Sequence, residues 1–244
     1  MTLKAVFFDF NGTIINDEAI HRELLQGVLV SENLRPDIEE FREICLGRRD
    51  RDCLREVLAR RGRVADEVTL DRLVAQKSAA YLHWLETQPK VPIYPGVEDL
   101  MYRLTADHVP IAIVTGAPRQ EVERVLRRTK LGDRVRFIVG GEDVAQGKPS
   151  PEGYQRAIAT MATVTGDATL TAANCAAIED TYPGLTAAKA AGLVAIGVAN
   201  SHPFQMMQRH ANWAVDFLHQ LEVERLRFYF EGRERENDAT IDVA

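Results

Sequence analysis

The stretch Lys4-Ala-Val-Phe-Phe-Asp9 is a short apolar run that ends in a carboxylate, which is typical of a buried strand in a parallel sheet. Similar apolar runs recur at residues 110–115, 135–139, 176–180 and 193–198. Helical patterns alternate with them, at residues 96–107, 118–130, 151–162 and 183–191. This alternation predicts an α/β fold, with a Rossmann-like parallel sheet between two layers of helices.

Residues 16–91 interrupt the alternation, because they contain no convincing strand and carry apolar residues at helical spacing. We expect about four helices there, inserted after the first strand. The proline-containing stretch 89–96 marks the return to the sheet. The predicted organisation is a core of residues 1–15 and 92–230, a helical insert of residues 16–91, and a charged, flexible tail of residues 231–244.

The composition limits the class of protein. The 244 residues are 45% hydrophobic and 27% charged, which excludes a disordered or collagen-like chain. A net charge of −6 argues against a nucleic-acid partner, and no apolar run approaches the ~20 residues of a membrane helix. The start of the sequence shows no signal-peptide pattern. Three scattered cysteines, Cys45, Cys53 and Cys175, predict reduced thiols in a cytoplasmic protein.

Reactive side chains stand at the ends of four predicted strands. Asp9 ends the first strand, Thr115 the second, and Glu179-Asp180 the fourth, while Lys148 lies beyond the third. Ligands of open parallel sheets bind outside the carboxyl ends of the strands, so we expect these groups to share one crevice. Such an inventory suits an anionic substrate and a hard metal ion.

This set of groups predicts phosphoryl transfer. Asp9 and Asp180 offer oxygen ligands for Mg²⁺, and Asp9 keeps one oxygen to attack phosphorus. Thr115 and the backbone N–H groups of Gly116 and Ala117 are expected to bind the phosphoryl oxygens, with Lys148 supplying positive charge. Phosphoryl transfer depends mainly on positioning and electrostatics, which makes this set nearly sufficient. Glu179 is either a further metal ligand or a group that orients one.

Four motifs in order resemble those of the haloacid dehalogenase superfamily: Asp9-Phe-Asn-Gly-Thr-Ile14, Val114-Thr-Gly116, Gly147-Lys-Pro149 and Ile178-Glu-Asp-Thr181. The resemblance covers residues 4–200. Asn16-Asp-Glu-Ala-Ile-His21 is similar to the "Asp-Ser-Glu-x-x-His" segment of relatives of β-phosphoglucomutase and phosphoglycolate phosphatase. The resemblance to this branch of the superfamily implies a Mg²⁺-dependent phosphatase of small phosphorylated metabolites, in which the helical insert is a cap domain.

The resemblance also implies a role for residues of the cap. Gly47-Arg-Arg-Asp-Arg-Asp-Cys-Leu54 resembles the loop of the cap that faces the substrate. Arg48, Arg49 or Arg51 would hold the non-reacting end of an anionic substrate, or would lie on a solvated face paired with neighbouring aspartates. His21 would lie near the substrate, or would be a core or hinge histidine.

Asn11 departs from the family pattern. Phosphatases and mutases of the family carry an aspartate there, which acts as general acid and base and gives its backbone carbonyl to Mg²⁺. Asn11 retains the carbonyl, so it stays in the expected metal site with Asp9, Asp180 and Glu179. Its amide cannot exchange a proton at neutral pH, and acid–base help is typically worth roughly 10²–10⁴-fold in rate.

Several alternatives follow from Asn11. Dehalogenases of the family need neither acid nor metal, but Thr13 and Glu179-Asp180 resemble the metal-dependent pattern. Phosphonatases use a cap lysine, whereas Lys77 and Lys90 both lie outside the 47–54 loop. Two further explanations of Asn11 are an engineered substitution for a natural aspartate, and deamidation of Asn11-Gly12 to aspartate in a fraction of the molecules. The rival class is a non-catalytic protein that binds Mg²⁺ and a phosphorylated ligand, and the sequence leaves monomer and dimer open.

Overall fold

A computed structural model describes the backbone of residues 2–241 and the side chains of residues 2–232. Within the described residues the chain forms one six-stranded sheet in the order β3-β2-β1-β4-β5-β6, with every pair parallel. The strands are β1 Ala5–Phe8, β2 Ile111–Val114, β3 Val135–Val139, β4 Cys175–Glu179, β5 Val194–Val198 and β6 Trp213–Val215. The predicted α/β fold is confirmed, and β6 is a strand that the sequence pattern did not indicate.

Ten α-helices accompany this sheet in the described part of the chain. They are α1 Glu18–Ser31, α2 Ile38–Glu40, α3 Asp50–Arg60, α4 Glu67–Thr87, α5 Val97–Ala106, α6 Arg119–Thr129, α7 Glu152–Thr165, α8 Tyr182–Ala190, α9 Phe204–His210 and α10 Val223–Ile241. None of the described helices is long and apolar enough to span a bilayer. The backbone of residues 231–241, predicted as tail, continues α10, since Glu and Arg favour helices without an apolar period; residues 242–244 lie outside the described residues.

The sheet is buried on both faces, which explains its continuous apolar strands. Every residue of β1, β2, β4 and β5 is buried. Alternate side chains enter two different apolar clusters, so that Val6 and Phe8 lie in one and Ala5 and Phe7 in the other. The strand order reverses between β1 and β4, and an open α/β sheet places its ligand crevice at the carboxyl ends beside such a reversal.

The helical insert has an apolar core of its own. That cluster is built from α1, the π-helical turn Phe41–Cys45, α3 and α4, and it shares no buried residue with the two clusters of the sheet. Two linkers run side by side where the insert leaves the sheet, because Tyr94 N–H donates to Ile14 C=O at 3.0 Å and Asn16 N–H to Pro92 C=O at 2.8 Å. The insert, called the cap below, is therefore connected to the core by two linkers of the chain that lie next to each other.

The cysteines differ from the prediction of three reduced thiols. Cys45 and Cys53 form a disulfide, and Cys175 is free and buried. The π-helical turn and α3 bring the two Cα atoms to 4.9 Å across the intervening loop, a separation within the range that a disulfide spans. Their sequence spacing did not reveal this, because it depends on how the loop of residues 46–49 turns back.

Candidate active site

Asp9 directly follows β1, next to the reversal of strand order. Its backbone N–H donates to the Ile178 carbonyl of β4 at 2.9 Å, which fixes its position at the crevice. The residue is 7% exposed, and Lys148 Nζ donates a hydrogen bond to its Oδ1. Burial raises the pKa of Asp9, and the Lys148 ammonium opposes that rise. The candidate nucleophile is thus a buried carboxylate with a cation against one oxygen.

Glu179 and Asp180 lie opposite Asp9 at the end of β4, and both are fully buried. Each of the three residues places a carboxylate oxygen within 4.8 Å of the other two. Lys148 Nζ is 2.6 Å from Glu179 Oε1, whereas Glu179 Oε2 is buried without a hydrogen-bond partner. Three carboxylates around one ammonium leave two negative charges unbalanced when all are ionised. These oxygens fit a divalent cation such as Mg²⁺.

The protonation of this cluster shows the same excess of negative charge. Burial is the main cause that raises the pKa of Glu179 to about 8, against the lowering effect of Lys148. Burial and the charge of Asp9 together raise the pKa of Asp180 well above its usual range. Burial acts to lower the pKa of Lys148, but the charges of Asp9 and Glu179 together outweigh it and raise that pKa, so the ammonium stays protonated. A cation bound here would replace protons on the carboxylates.

Residues of the first motif hold Asp180 in place. Thr13 Oγ1 donates to Asp180 Oδ1 at 3.2 Å, and Ser201 Oγ, which the sequence analysis did not single out, donates to Oδ2. Gly12 has a φ of +78°, and a Cβ there would lie 2.0 Å from Asp180 Oδ2. Glycine is needed at this position for both its backbone conformation and this close approach.

Most of the predicted site residues line one cavity between the core and the cap. The core contributes one side of the cavity wall, through Asp9, Asn11, Thr115, Gly116, Ala117 and Thr181. The cap contributes the other side, through Glu18, His21, Leu25, Phe41, Cys45, Gly47, Arg48, Asp50 and Lys77. Thr115 is 6% exposed, and its Oγ1 accepts a hydrogen bond from Ala117 N–H at 3.0 Å. Asp9 belongs both to this wall and to the cluster with Lys148, Glu179 and Asp180, so the cluster adjoins the cavity through Asp9, while the other three residues do not line it.

Asn11 donates to a buried carboxylate instead of facing the cavity with a free amide. Its Nδ2 is 2.9 Å from Asp17 Oδ2, and Tyr81 OH donates to the same oxygen at 2.6 Å. Asp17 precedes α1 at the N-cap position but makes no side-chain cap there, because its carboxylate points into this network. Its Oδ1 is buried without a partner.

His21 connects this network to the cap. Its Nε2 lies 3.1 Å from Asp17 Oδ2 and 2.9 Å from Asn11 Nδ2, and its Nδ1 contacts Lys77 Nζ. Burial and Lys77 act to lower the pKa of His21, but Asp17 outweighs them and raises it. His21 is therefore a buried residue that lines the cavity and contacts both Asn11 of the core and Lys77 of the cap.

The three predicted arginines have different surroundings. Arg48 lines the cavity and bonds Glu56 at 2.6 Å. Arg49 donates five hydrogen bonds: two to the two oxygens of Asp52 and three to core carbonyls, all at 2.7–3.0 Å. Arg51 pairs with Glu67 at 2.5 Å, away from the cavity. Arg49 thus clamps the cap to the core loop of residues 141–145, and this arrangement leaves it no donor for a substrate.

Sequence reasoning gave no role in the site to four charged residues of this region: Glu18, Asp50, Lys77 and Glu121. Lys77 is 2% exposed and lies 2.7 Å from Asp50. Glu121 of α6 is fully buried, and neither of its carboxylate oxygens has a hydrogen-bond partner. Burial raises the pKa of Glu121, against the lowering effect of Lys77 and His21. A signal for Lys77 existed, because it occupies the apolar stripe of α4, four residues from Leu73 and four from Tyr81.

Comparison with known proteins places this site in a family. The profile of the haloacid dehalogenase-like hydrolases matches residues 3–192. The chain is 29% identical over 198 residues to Protein CbbY of Rhodobacter capsulatus, covering 79% of this chain and 84% of that protein. It is 28% identical over 200 residues to validoxylamine A 7'-phosphate phosphatase of Streptomyces hygroscopicus subsp. limoneus, with 82% and 87% covered.

A solved structure shares the fold of both core and cap. The β-phosphoglucomutase of Clostridium difficile superposes with a TM-score of 0.81 and 21% identity, over 95% of this chain and 98% of that one. The matched profile extends from the strand that ends in Asp9 to beyond Asp180 and includes the whole cavity wall. The resemblance inferred from the four motifs is therefore confirmed, and the chain belongs to the haloacid dehalogenase-like hydrolase family.

Proposed function

We propose that this protein is a Mg²⁺-dependent phosphatase of a small phosphorylated metabolite, in which Asp9 is the nucleophile. The observation that carries the proposal is the pairing of Asp9 with Lys148 beside two further buried carboxylates, Glu179 and Asp180. The names of relatives support it, since one is the validoxylamine A 7'-phosphate phosphatase and another is a β-phosphoglucomutase of Bacillus subtilis at 26% identity.

The residues divide the reaction between them. Asp9 attacks phosphorus, the bond to the ester oxygen breaks, and the leaving oxygen takes a proton. Water then attacks the aspartyl-phosphate, the bond from Asp9 to phosphorus breaks, and phosphate is released with Asp9 regenerated. Lys148, the Thr115 hydroxyl and the backbone N–H groups of Gly116 and Ala117 bind the phosphoryl oxygens. Each interaction gains strength as negative charge develops in a site closed from water.

Mg²⁺ would be held by Asp9, Asp180, the backbone carbonyl of Asn11 and, directly or through water, Glu179. When bound, it neutralises charge between the carboxylates and the phosphoryl group. The protein's own contribution is to keep these oxygens together: Thr13 and Ser201 hold Asp180, and Tyr154 OH donates to Glu179.

The position of the cap supports the proposal of a small substrate. Arg49, Gln120 and Arg128 fasten the cap to the core; Gln120 Nε2 bonds Ser78 Oγ at 3.0 Å and Arg128 bonds the Gln88 carbonyl at 2.6 Å. With these contacts in place the cavity wall combines core and cap residues around Asp9. Such a closed wall suits a small metabolite and excludes water from the reacting bond.

The test is Mg²⁺-dependent phosphate release from 4-nitrophenyl phosphate and from a panel of sugar phosphates. We expect turnover that requires Mg²⁺ and is abolished in Asp9→Asn, which keeps the size of the side chain and removes the nucleophile. Peptide mass spectrometry of the active sample shows whether Asn11 is intact. Binding of Mg²⁺ and phosphate without turnover of any substrate would instead establish a non-catalytic binding protein.

A further inference from the structure

Glu18 is a carboxylate of the cavity wall that the proposed reaction leaves without a role. It is the first residue of α1 and lines the same cavity as Asp9 and Asn11. The carboxylate is part-buried, so it is shielded from bulk solvent while open to a ligand in the cavity. Its backbone position is fixed by the paired linkers between core and cap, since α1 begins directly after linker residues 14–16.

Glu18 differs from the other charged groups of the wall in having no fixed partner. Asp9 is paired with Lys148, Asp50 with Lys77, and Arg48 with Glu56. Among the described residues, no hydrogen bond or ion pair engages the Glu18 carboxylate. It is therefore the acidic side chain of the wall that is available to a substrate without breaking an existing contact.

The remaining candidates for a proton donor near Asn11 are occupied. Asp17 is 2% exposed and accepts hydrogen bonds from Asn11, His21 and Tyr81, so it lies behind the wall. Both ring nitrogens of His21 are engaged. Asn11 itself carries no exchangeable proton at neutral pH.

We propose that Glu18 is the general acid of this enzyme, in place of the side chain at position 11. This inference rests on the proposed phosphatase function. In the first step the Glu18 carboxyl gives its proton to the leaving ester oxygen as the bond to phosphorus breaks and Asp9 bonds to phosphorus. In the second step the Glu18 carboxylate takes a proton from the water whose oxygen bonds to phosphorus, and the bond from Asp9 to phosphorus breaks.

The electrostatic surroundings suit this role. Burial raises the pKa of Glu18 to about 6, His21 and Lys77 act to lower it, and Asp17 and Asp9 act to raise it. Both forms are then populated close to neutral pH, which is the condition for efficient transfer in both directions. The other charged groups facing the same cavity are Arg48 from the cap loop and Asp50 from α3, and both are held in ion pairs.

The experiment compares the wild type with Glu18→Gln on two substrates that differ in leaving group. A sugar phosphate releases an alkoxide and needs the proton, so we expect its kcat to fall by roughly 10²–10⁴-fold. With 4-nitrophenyl phosphate, whose leaving group needs no proton, we expect a stoichiometric burst of nitrophenolate followed by slow turnover, because hydrolysis of the aspartyl-phosphate lacks its base. The limb of the kcat–pH profile that titrates near the Glu18 pKa of about 6 should also disappear.

The matched control is Glu23→Gln, on the exposed side of the same helix, which should leave both rates unchanged. Thermal unfolding of each variant with Mg²⁺ shows that the fold is intact. Equal sugar-phosphate rates and an unchanged pH profile in Glu18→Gln would overturn the proposal. Failure of the wild type to turn over even 4-nitrophenyl phosphate with Mg²⁺ would overturn the phosphatase function itself, so the two failures are distinguishable.

Discussion

The buried carboxylates that adjoin the cavity should make the metal-free protein less stable as the pH rises. Glu179 is fully buried, and its pKa is raised from an ordinary 4.5 to about 8, mainly by burial. Between these two values the native state holds a proton that the unfolded chain has already lost. The native state therefore binds more protons than the unfolded state, and the free energy of unfolding falls with increasing pH over this window.

The size of the effect follows from the interval between the two pKa values. Each pH unit over which only the native state is protonated is worth about 1.36 kcal/mol. For Glu179 the interval from 4.5 to about 8 gives an order of magnitude of about 5 kcal/mol lost between low and high pH. Asp180 and Glu18 are shifted in the same direction and add to the loss. His202, whose pKa burial lowers, acts in the opposite direction.

Denaturant unfolding with and without Mg²⁺ measures this loss. The metal-free protein should unfold at a lower denaturant concentration at about pH 8 than at about pH 5, and Mg²⁺ should stabilise it more at the higher pH, where the carboxylates are ionised. The control is Glu179→Gln, which cannot titrate and should flatten the pH dependence. A metal-free stability that is constant or rises with pH, or a Glu179→Gln variant with the wild-type slope, would refute the reasoning.

Other parts of the site give three further predictions. Gly12→Ala places a Cβ 2.0 Å from Asp180 Oδ2 at a φ of +78°, so it should destabilise the protein by at least ~1 kcal/mol and weaken stabilisation by Mg²⁺ in thermal unfolding. Reduction of the Cys45–Cys53 disulfide, whose cysteines are 8 residues apart, should lower the free energy of unfolding by about 2–3 kcal/mol, and an unfolding curve unaffected by a dithiol reductant would contradict this. Lys148→Met removes the ammonium that pairs with two buried carboxylates, so the free energy of unfolding of the metal-free protein should fall by about 3–5 kcal/mol. Mg²⁺ should restore part of this loss in denaturant unfolding.

Local patterns were sufficient to predict the parallel sheet and the candidate site at the carboxyl ends of its strands. The apolar runs of the five long strands predicted a buried parallel sheet, and in such a sheet residues at successive carboxyl ends meet whatever lies between them in sequence. Asp9, Lys148, Glu179 and Asp180 were therefore predictable as neighbours. The short edge strand Trp213–Val215 was not, because three residues, of which two are half-buried and Val215 is buried, are too few to show a period.

The contacts between cap and core were not predictable, because they join residues that are far apart in sequence. Arg49 reaches carbonyls 92–96 residues away in sequence, and no local pattern distinguishes such a clamp from a substrate ligand. Lys77 and Glu121 face each other across the same junction, from α4 and α6. Their burial was indicated only by charged residues standing in otherwise apolar stripes, a signal that also arises by chance on long helices.

Asn11 and Asp17 are best understood together. The family patterns that this chain resembles have an aspartate at the place of Asn11 and a serine at the place of Asp17, whereas here Asn11 Nδ2 donates to Asp17 Oδ2 at 2.9 Å. An aspartate at position 11 would set two carboxylates at hydrogen-bond distance, where both cannot be ionised. A natural aspartate at position 11, which a trapping substitution presupposes, or a deamidated Asn11 would create that conflict, and neither accounts for Asp17, which also binds His21 and Tyr81. The two positions form a matched pair in which the carboxylate lies behind the cavity wall, at Asp17. In the proposed phosphatase reaction the proton for the leaving group then comes from another residue of that wall, which is Glu18 in our proposal.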